Sequence, residues 1–148
     1  MHLTLFTDYA LRSLMYLTWH QGRLSTSEEI ARFFEISQDH VVKVIQQLAR
    51  KGYVRSRRGR HGGVRLAKSP ETIRLGDIIR DLEQISLLEC LNSRGVCVIE
   101  GNCKLQGILR EGQRRMMNYL DEFTLADFAG SQPEAADLVP IGLERLPV

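Results

Sequence analysis

Long apolar runs are missing from this 148-residue chain. Nothing approaches the roughly 18 consecutive apolar residues that a membrane span needs, so an integral membrane protein is not expected. The start, Met1-His2-Leu3-Thr4, has neither the basic region nor the small-residue cleavage site of a signal peptide. A cytoplasmic location is therefore expected. Cysteine is scarce: there are three, an odd number, all between Cys90 and Cys103. That usage does not suit a secreted disulfide framework. The phosphate-loop pattern GxxxxGK[ST], the dinucleotide fingerprint, HExxH and GxSxG are all absent, and no second cofactor site is visible. An enzyme is therefore not expected. Internal repeats and low-complexity tracts are lacking too.

What is present suits a folded chain. Hydrophobic residues make up 43% and charged residues 26%, enough to bury a core and too apolar for disorder by composition. The length fits one ordinary domain, or a small domain with a dimerisation appendage. The net charge of +2 conceals an asymmetry. Residues 1–68 hold 12 Lys/Arg against 5 Asp/Glu, a balance of +7; residues 69–148 hold 8 against 13, a balance of −5. All four histidines lie in the basic part. A basic half joined to an acidic half suggests a nucleic-acid-facing module with a separate body.

The local patterns give that module a shape. Leu3, Phe6, Ala10, Leu14 and Leu17 follow helical periodicity over residues 3–20, with Thr4 or Thr7 as cap. Ser25 with Glu28, and Thr26 with Glu29, both have capping-box spacing and announce a short helix to about Phe34. Glu35-Ile36 connects it to a helix capped by Ser37. That helix carries the stripe Val41, Val44, Ile45, Leu48 and ends at Gly52. Two short helices and a tight turn form a helix-turn-helix. The second helix offers Ser37, Gln38, His40 and Lys43 to DNA, with Gln47 and Arg50 further along. Residues 53–57 and 64–67 read as strands around Arg58-Gly59-Arg60-His61-Gly62-Gly63. Glycines permit the tight tip, and Arg57, Arg58, Arg60 and Arg65, with His61, make it a basic wing suited to a narrow minor groove. The expected fold is mainly α with a small β wing: a winged helix-turn-helix plus a long dimerisation helix.

Pro70 marks a linker, and residues 73–82 form a further short helix. A long helix over residues 104–123 places Leu105, Ile108, Leu109, Met116, Tyr119 and Leu120 along one side. No later element is long enough to cover that stripe, so a symmetric homodimer is expected. Residues 124–128 form a last capped turn, and residues 130–148 a loosely held tail. The expected division is residues 1–84 for DNA binding and 85–129 for the cysteine loop and dimerisation helix.

Six residues separate Cys90 from Cys97 and five separate Cys97 from Cys103. Turns at Arg94-Gly95 and Gly101-Asn102 could bend the three sulfurs together. The spacing is not CxxC, which disfavours a thioredoxin motif or zinc ribbon. Iron–sulfur clusters tolerate irregular thiolate loops. From spacing, the alternatives are an iron–sulfur cluster, zinc, a thiol redox switch or plain structural cysteines. A cluster would need a fourth ligand from elsewhere in the chain, the partner subunit or a small molecule.

Taken together, Phe6-Thr7-Asp8-Tyr9-Ala10-Leu11-Arg12, the helix-turn-helix, the wing from Arg58 to Gly62-Gly63 and the three-cysteine loop resemble the dimeric winged-helix iron–sulfur regulators. The resemblance spans about residues 1–129. It is strongest toward the nitric-oxide-sensing, NsrR-type branch, through His40-Val41-Val42-Lys43, Leu82-Glu83, Leu87-Leu88-Glu89-Cys90, Cys103-Lys104-Leu105 and residues 120–127. The cluster-biogenesis branch carries a ligating histidine where this chain has Gln106. The resemblance implies one cluster per subunit on Cys90, Cys97 and Cys103, with Asp8 from the partner subunit as fourth ligand. A four-iron four-sulfur cluster is favoured over a two-iron two-sulfur one. It further implies a repressor of a palindromic double-stranded operator, released when nitric oxide modifies the cluster. Cluster-free cysteine redox sensing, and iron- or cluster-status sensing, are the alternatives.

Overall fold

The computed structural model describes residues 2–93, 96–99, 102–134 and 138. The turns expected at Arg94-Gly95 and at Gly101, and most of the tail, lie outside them. Helix α1 spans Leu5–Trp19 and starts at Thr4, whose hydroxyl accepts the Thr7 amide at 3.3 Å. Helix α2 (Ser27–Phe34) opens with the Thr26–Glu29 capping box, the second of the two expected. It ends at Glu35, the one non-glycine residue with positive φ among those described, at 53°. That left-handed residue turns the chain into α3 (Gln38–Arg50). Ser37 stands at the N-cap of α3 as expected, but its side chain makes no capping bond. The turn closes through the backbone instead, Val41 N–H to Ser37 O at 3.2 Å.

Val41, Val44 and Leu48 are wholly buried and Ile45 nearly so, so the stripe of α3 faces inward. Fully burying each such side chain is worth about 1.5–3 kcal/mol. Strands β1 (Val54–Arg57) and β2 (Gly63–Leu66) pair antiparallel, with Val54 opposite Leu66 and Arg55 opposite Arg65. Ser25 extends this hairpin: it exchanges backbone bonds with Val64 at 2.9 and 2.8 Å. The wing is thereby stitched to the turn between α1 and α2.

Pro70 is not in a linker. It is buried and opens a 3-10 turn over Pro70–Thr72, where its missing N–H costs nothing. Helix α4 covers Leu75–Leu82, two residues later than expected, because Ile73 is extended and gives its carbonyl to Leu125 N–H at 2.7 Å. Helix α5 spans Lys104–Leu120 and stops short of Phe123. The chain turns at Asp121 so that Phe123 O can accept the Leu75 amide at 2.9 Å. Helix α6 (Leu125–Ala129) then packs on α1, where Trp19 Nε1–H donates to Ala129 O at 2.9 Å.

The core is drawn from α1, α2, α3, the wing, the Ile73 segment, α4 and α6. Tyr16, Trp19, Phe33 and Phe34 add edge-on and tilted ring contacts at 4.8–6.5 Å. Helix α5 contributes nothing to this core among the described residues. The result is the mainly helical winged-helix fold expected. No helix among the described residues is long and apolar enough to cross a membrane.

Candidate functional site

Two exposed elements carry the expected DNA-contacting residues. Ser37, Gln38, His40 and Lys43 all lie exposed at the N-terminal half of α3. His40 is steadied by Tyr9 of α1, their ring centroids 5.9 Å apart. Arg57, Arg58, Arg60 and His61 are exposed along the wing. The tip depends on two glycines. Gly59 has φ of 105°, and its carbonyl accepts Gly62 N–H at 2.8 Å. A Cβ at Gly62 would fall on the Arg57 carbonyl oxygen. Residues 53–68 contain no acidic side chain, so the wing presents a single-signed surface.

A cleft of about 230 Å³ runs between α3 and the wing, lined in part by Ser25, Ser27 and Gln46. The Ser25 hydroxyl is buried there without a hydrogen-bond partner. None of these three was singled out for DNA from the sequence. The available signal was Ser25-Thr26-Ser27, three hydroxyls whose helix-capping meaning masks any other. Behind the interface, Lys51 and Tyr53 both bind Asp81 of α4, at 3.1 and 2.7 Å. The Tyr53 hydrogen bond, and then Lys51, hold the Asp81 carboxyl below its ordinary range despite partial burial. The end of the recognition helix is thus tied to α4.

The cysteine segment sits on α5. Cys90 lies in a 3-10 turn over Glu89–Leu91, and Cys103 is the N-cap of α5. Gln106 joins them: its amide N–H donates to Cys103 Sγ at 3.4 Å, and its Nε2 donates to Cys90 O at 2.7 Å. Two turns on, Gln113 Nε2 donates to Ile85 O at 2.9 Å and its Oε1 accepts Leu87 N–H at 3.3 Å. The sequence had given Gln106 only a negative meaning and Gln113 none.

All three cysteines are free thiols; Cys90 and Cys103 are half-buried and Cys97 is exposed. Asp8 is half-exposed on α1, paired with Arg12 Nε at 2.9 Å. Among the described residues of one chain, no three His, Cys, Asp or Glu side chains are grouped to hold a metal ion. The donor chemistry nevertheless fits an iron–sulfur group: three unpaired thiols, with Cys103 Sγ and the Cys90 backbone held by one glutamine.

The expected dimerisation residues are placed on an open face. Leu105, Ile108 and Tyr119 are 56, 68 and 59% exposed, and Leu109, Met116 and Leu120 are half-buried. Val98 and Ile99, next to Cys97, are exposed as well. The bond that orients α5 is Arg80 of α4, which grips Asp121 through both guanidinium nitrogens, one at 2.7 Å. At the C-cap of α4, Glu83 accepts from the Thr4 amide and hydroxyl at 2.8 and 2.7 Å.

A basic recognition helix, a basic wing and a thiol-bearing segment on a projecting helix define a winged-helix DNA-binding regulator. The chain belongs to the Rrf2 family, described as iron-dependent transcriptional regulators, which it matches over residues 3–131. Solved structures agree. The global cysteine regulator CymR of B. subtilis is 25% identical, with a TM-score of 0.72 over 87% of this chain and 96% of that one. T. potens IscR is 26% identical, with a TM-score of 0.70 over 86% and 85%. A putative transcriptional regulator from Listeria innocua is 30% identical, with a TM-score of 0.72 over 94% of both. The protein is a DNA-binding transcriptional regulator and not an enzyme.

Proposed function

We propose that this regulator is a cytoplasmic homodimeric repressor of the NsrR type, which releases a palindromic operator in response to nitric oxide. The observation that carries this reading is that Cys103 caps, and the Cys90 backbone is bonded to, the start of a helix whose apolar face is exposed among the described residues, with a third free thiol, Cys97, between them in sequence. Cys90, Cys97 and Cys103 would hold an iron–sulfur cluster, four-iron four-sulfur in preference to two-iron two-sulfur, one per subunit. Asp8 of the partner subunit would complete it. When bound, the cluster supplies iron sites with affinity for nitric oxide, the carboxylate-held iron being the least firmly ligated.

The chain's own contribution is mechanical. Gln106 and Gln113 bind the cysteine segment to α5. Arg80 binds the end of α5 to α4, and Glu83 binds the end of α4 to the cap of α1. Any rearrangement of the cysteine segment therefore reaches the helix that sets the separation of the two DNA-binding bodies. Two recognition helices must lie about 34–36 Å apart to enter successive major grooves on one face of DNA. A signal acts only to the extent that it favours one dimer geometry over the other.

The decisive experiment is anaerobic purification with iron and sulfide analysis, followed by operator binding and visible spectra before and after nitric oxide. Loss of chromophore and operator affinity together supports the reading. A colourless protein that binds operator fully overturns it. A second reading, cluster-free thiol sensing, draws support from the exposure of Cys97 and from the cysteine-regulator relative. In that case oxidation of the colourless protein would change operator affinity. Sensing of iron or of cluster status would show as a response to metal supply in place of nitric oxide.

A further inference from the structure

The outer face of the wing carries arginines set back from its tip. Side chains alternate across a strand, so Val54, Ser56 and Val64 turn toward the body while Arg55, Arg57 and Arg65 turn outward, Arg57 nearest the tip. Arg55 and Arg65 are directly opposite in the register. Like charges in that position repel, at a separation of about 4.5–5.5 Å between Cβ atoms. Neither makes an ion pair among the described residues, although acidic side chains are available elsewhere on the surface.

The outer face is concave. A cleft of about 350 Å³ opens there, distinct from the cleft between α3 and the inner face. Its walls are Arg55, Arg65 and Lys68 from the wing with His20 and Arg23 from the turn after α1. No carboxylate lines it among the described residues. Arg23 is held in place by Glu29 at 3.0 Å and by Leu24 O at 3.2 Å, so its position does not depend on a ligand. His20 is likewise fixed, stacked on Tyr16 at 4.1 Å with Nδ1 2.8 Å from Tyr16 O. Two ordered walls thus face two repelling guanidiniums across a gap.

We propose that this cleft is an oxyanion site that takes a phosphate group, with Arg55 and Arg65 as its principal donors. A dianion between them converts a repulsive pair into two charge-assisted hydrogen-bonding partners, the geometry to which guanidinium forks are best suited. Arg23 and Lys68 add field without occupying the centre. The phosphate can be carried by a free small molecule or by the DNA backbone, and the test separates these sources.

The protein is titrated with pyrophosphate by calorimetry, without DNA, for the parent, the double variant Arg55→Gln/Arg65→Gln and the control Arg32→Gln on α2, outside the cleft. The expected result is saturable binding by the parent and the control, weakened about tenfold or more in the double variant. Pyrophosphate should raise the Tm of the parent but not of the double variant, and the double variant should melt no lower than the parent in phosphate-free buffer. That melt also shows that the variant folds. If pyrophosphate does not bind, operator affinity is compared. A loss in the double variant, with the salt slope smaller by about 2, assigns the phosphate to DNA. Equal pyrophosphate binding in parent and double variant overturns the proposal. So does the absence of pyrophosphate binding together with unchanged operator affinity and salt slope.

Discussion

Helices α3 and α5 have similar amphipathic stripes and opposite fates. The stripe of α3 is finished within the chain: Val41, Val44 and Leu48 are wholly buried. Helix α5 is longer, 17 residues against 13, yet Met117 is its one buried residue. The described residues of the chain leave the apolar face of α5 open, as a dimer contact requires. The proposed chemistry follows the same division, with the DNA-contacting residues on one chain and the cluster ligands shared between two. Under the proposed function, the chain is a finished reading head joined to half of a sensor.

The comparison breaks most sharply at α5. Ile108→Glu should convert the dimer to monomer by sedimentation equilibrium, since two uncompensated charges buried at a symmetric contact cost several kcal/mol. Far-ultraviolet circular dichroism and Tm of the body should stay close to the parent. A variant that remains dimeric shows that α5 is not the contact. The complementary change is Leu48→Ala in α3. It should lower stability by about 2–5 kcal/mol in denaturant melts while leaving the α5 contact intact.

Next in size is the wing. Arg58→Ala should weaken operator binding by about 1–3 kcal/mol, read by fluorescence anisotropy at fixed salt, with folding unchanged. Parent-like affinity would remove Arg58 from the interface.

The joints between the two regions titrate. Hydrogen bonds from Arg80 hold the Asp121 carboxyl below its ordinary value. Burial raises Glu83, but hydrogen bonds from Thr7 and Thr4 outweigh it and leave the carboxyl lowered. Carboxyls lowered on folding stabilise fully above their unfolded values and lose that contribution as pH falls through the folded ones. Melts should therefore show stability declining from about pH 4.5 downward, and Glu83→Gln should flatten part of that decline. The smallest effect belongs to Glu111. Arg114 and Arg115 hold its carboxyl at about 2, yet solvent surrounds the cluster and screens it. Glu111→Gln should leave Tm unchanged within error.

What could be read from the sequence follows the same boundary. The stripe of α3, the Thr26–Glu29 box and the glycine tip are local signals, and each produced its element. Features made by distant partners were not legible. Pro70 looked like a linker residue because its burial depends on α6, more than fifty residues later. Ser25 looked like a helix cap, and nothing local says that it pairs with Val64. The end of α5 depends on Ile73–Leu75 meeting Phe123–Leu125. At the candidate site, the three cysteines, the basic helix and the wing were visible by residue type. Gln106 and Gln113 were not, because an amide that bonds a remote backbone carries no pattern.

The proposal that the sensor is shared between subunits is tested most directly by complementation between two defective subunits. One chain carries Asp8→Ala; the other carries Cys90→Ala, Cys97→Ala and Cys103→Ala. Their heterodimer, isolated anaerobically with separate affinity tags, has one site in which intact cysteines face an intact Asp8. The account predicts half the iron of the parent dimer, with the parent's visible spectrum and nitric oxide kinetics. A heterodimer whose spectrum and kinetics match the Asp8→Ala homodimer, or one that holds no iron, would contradict it.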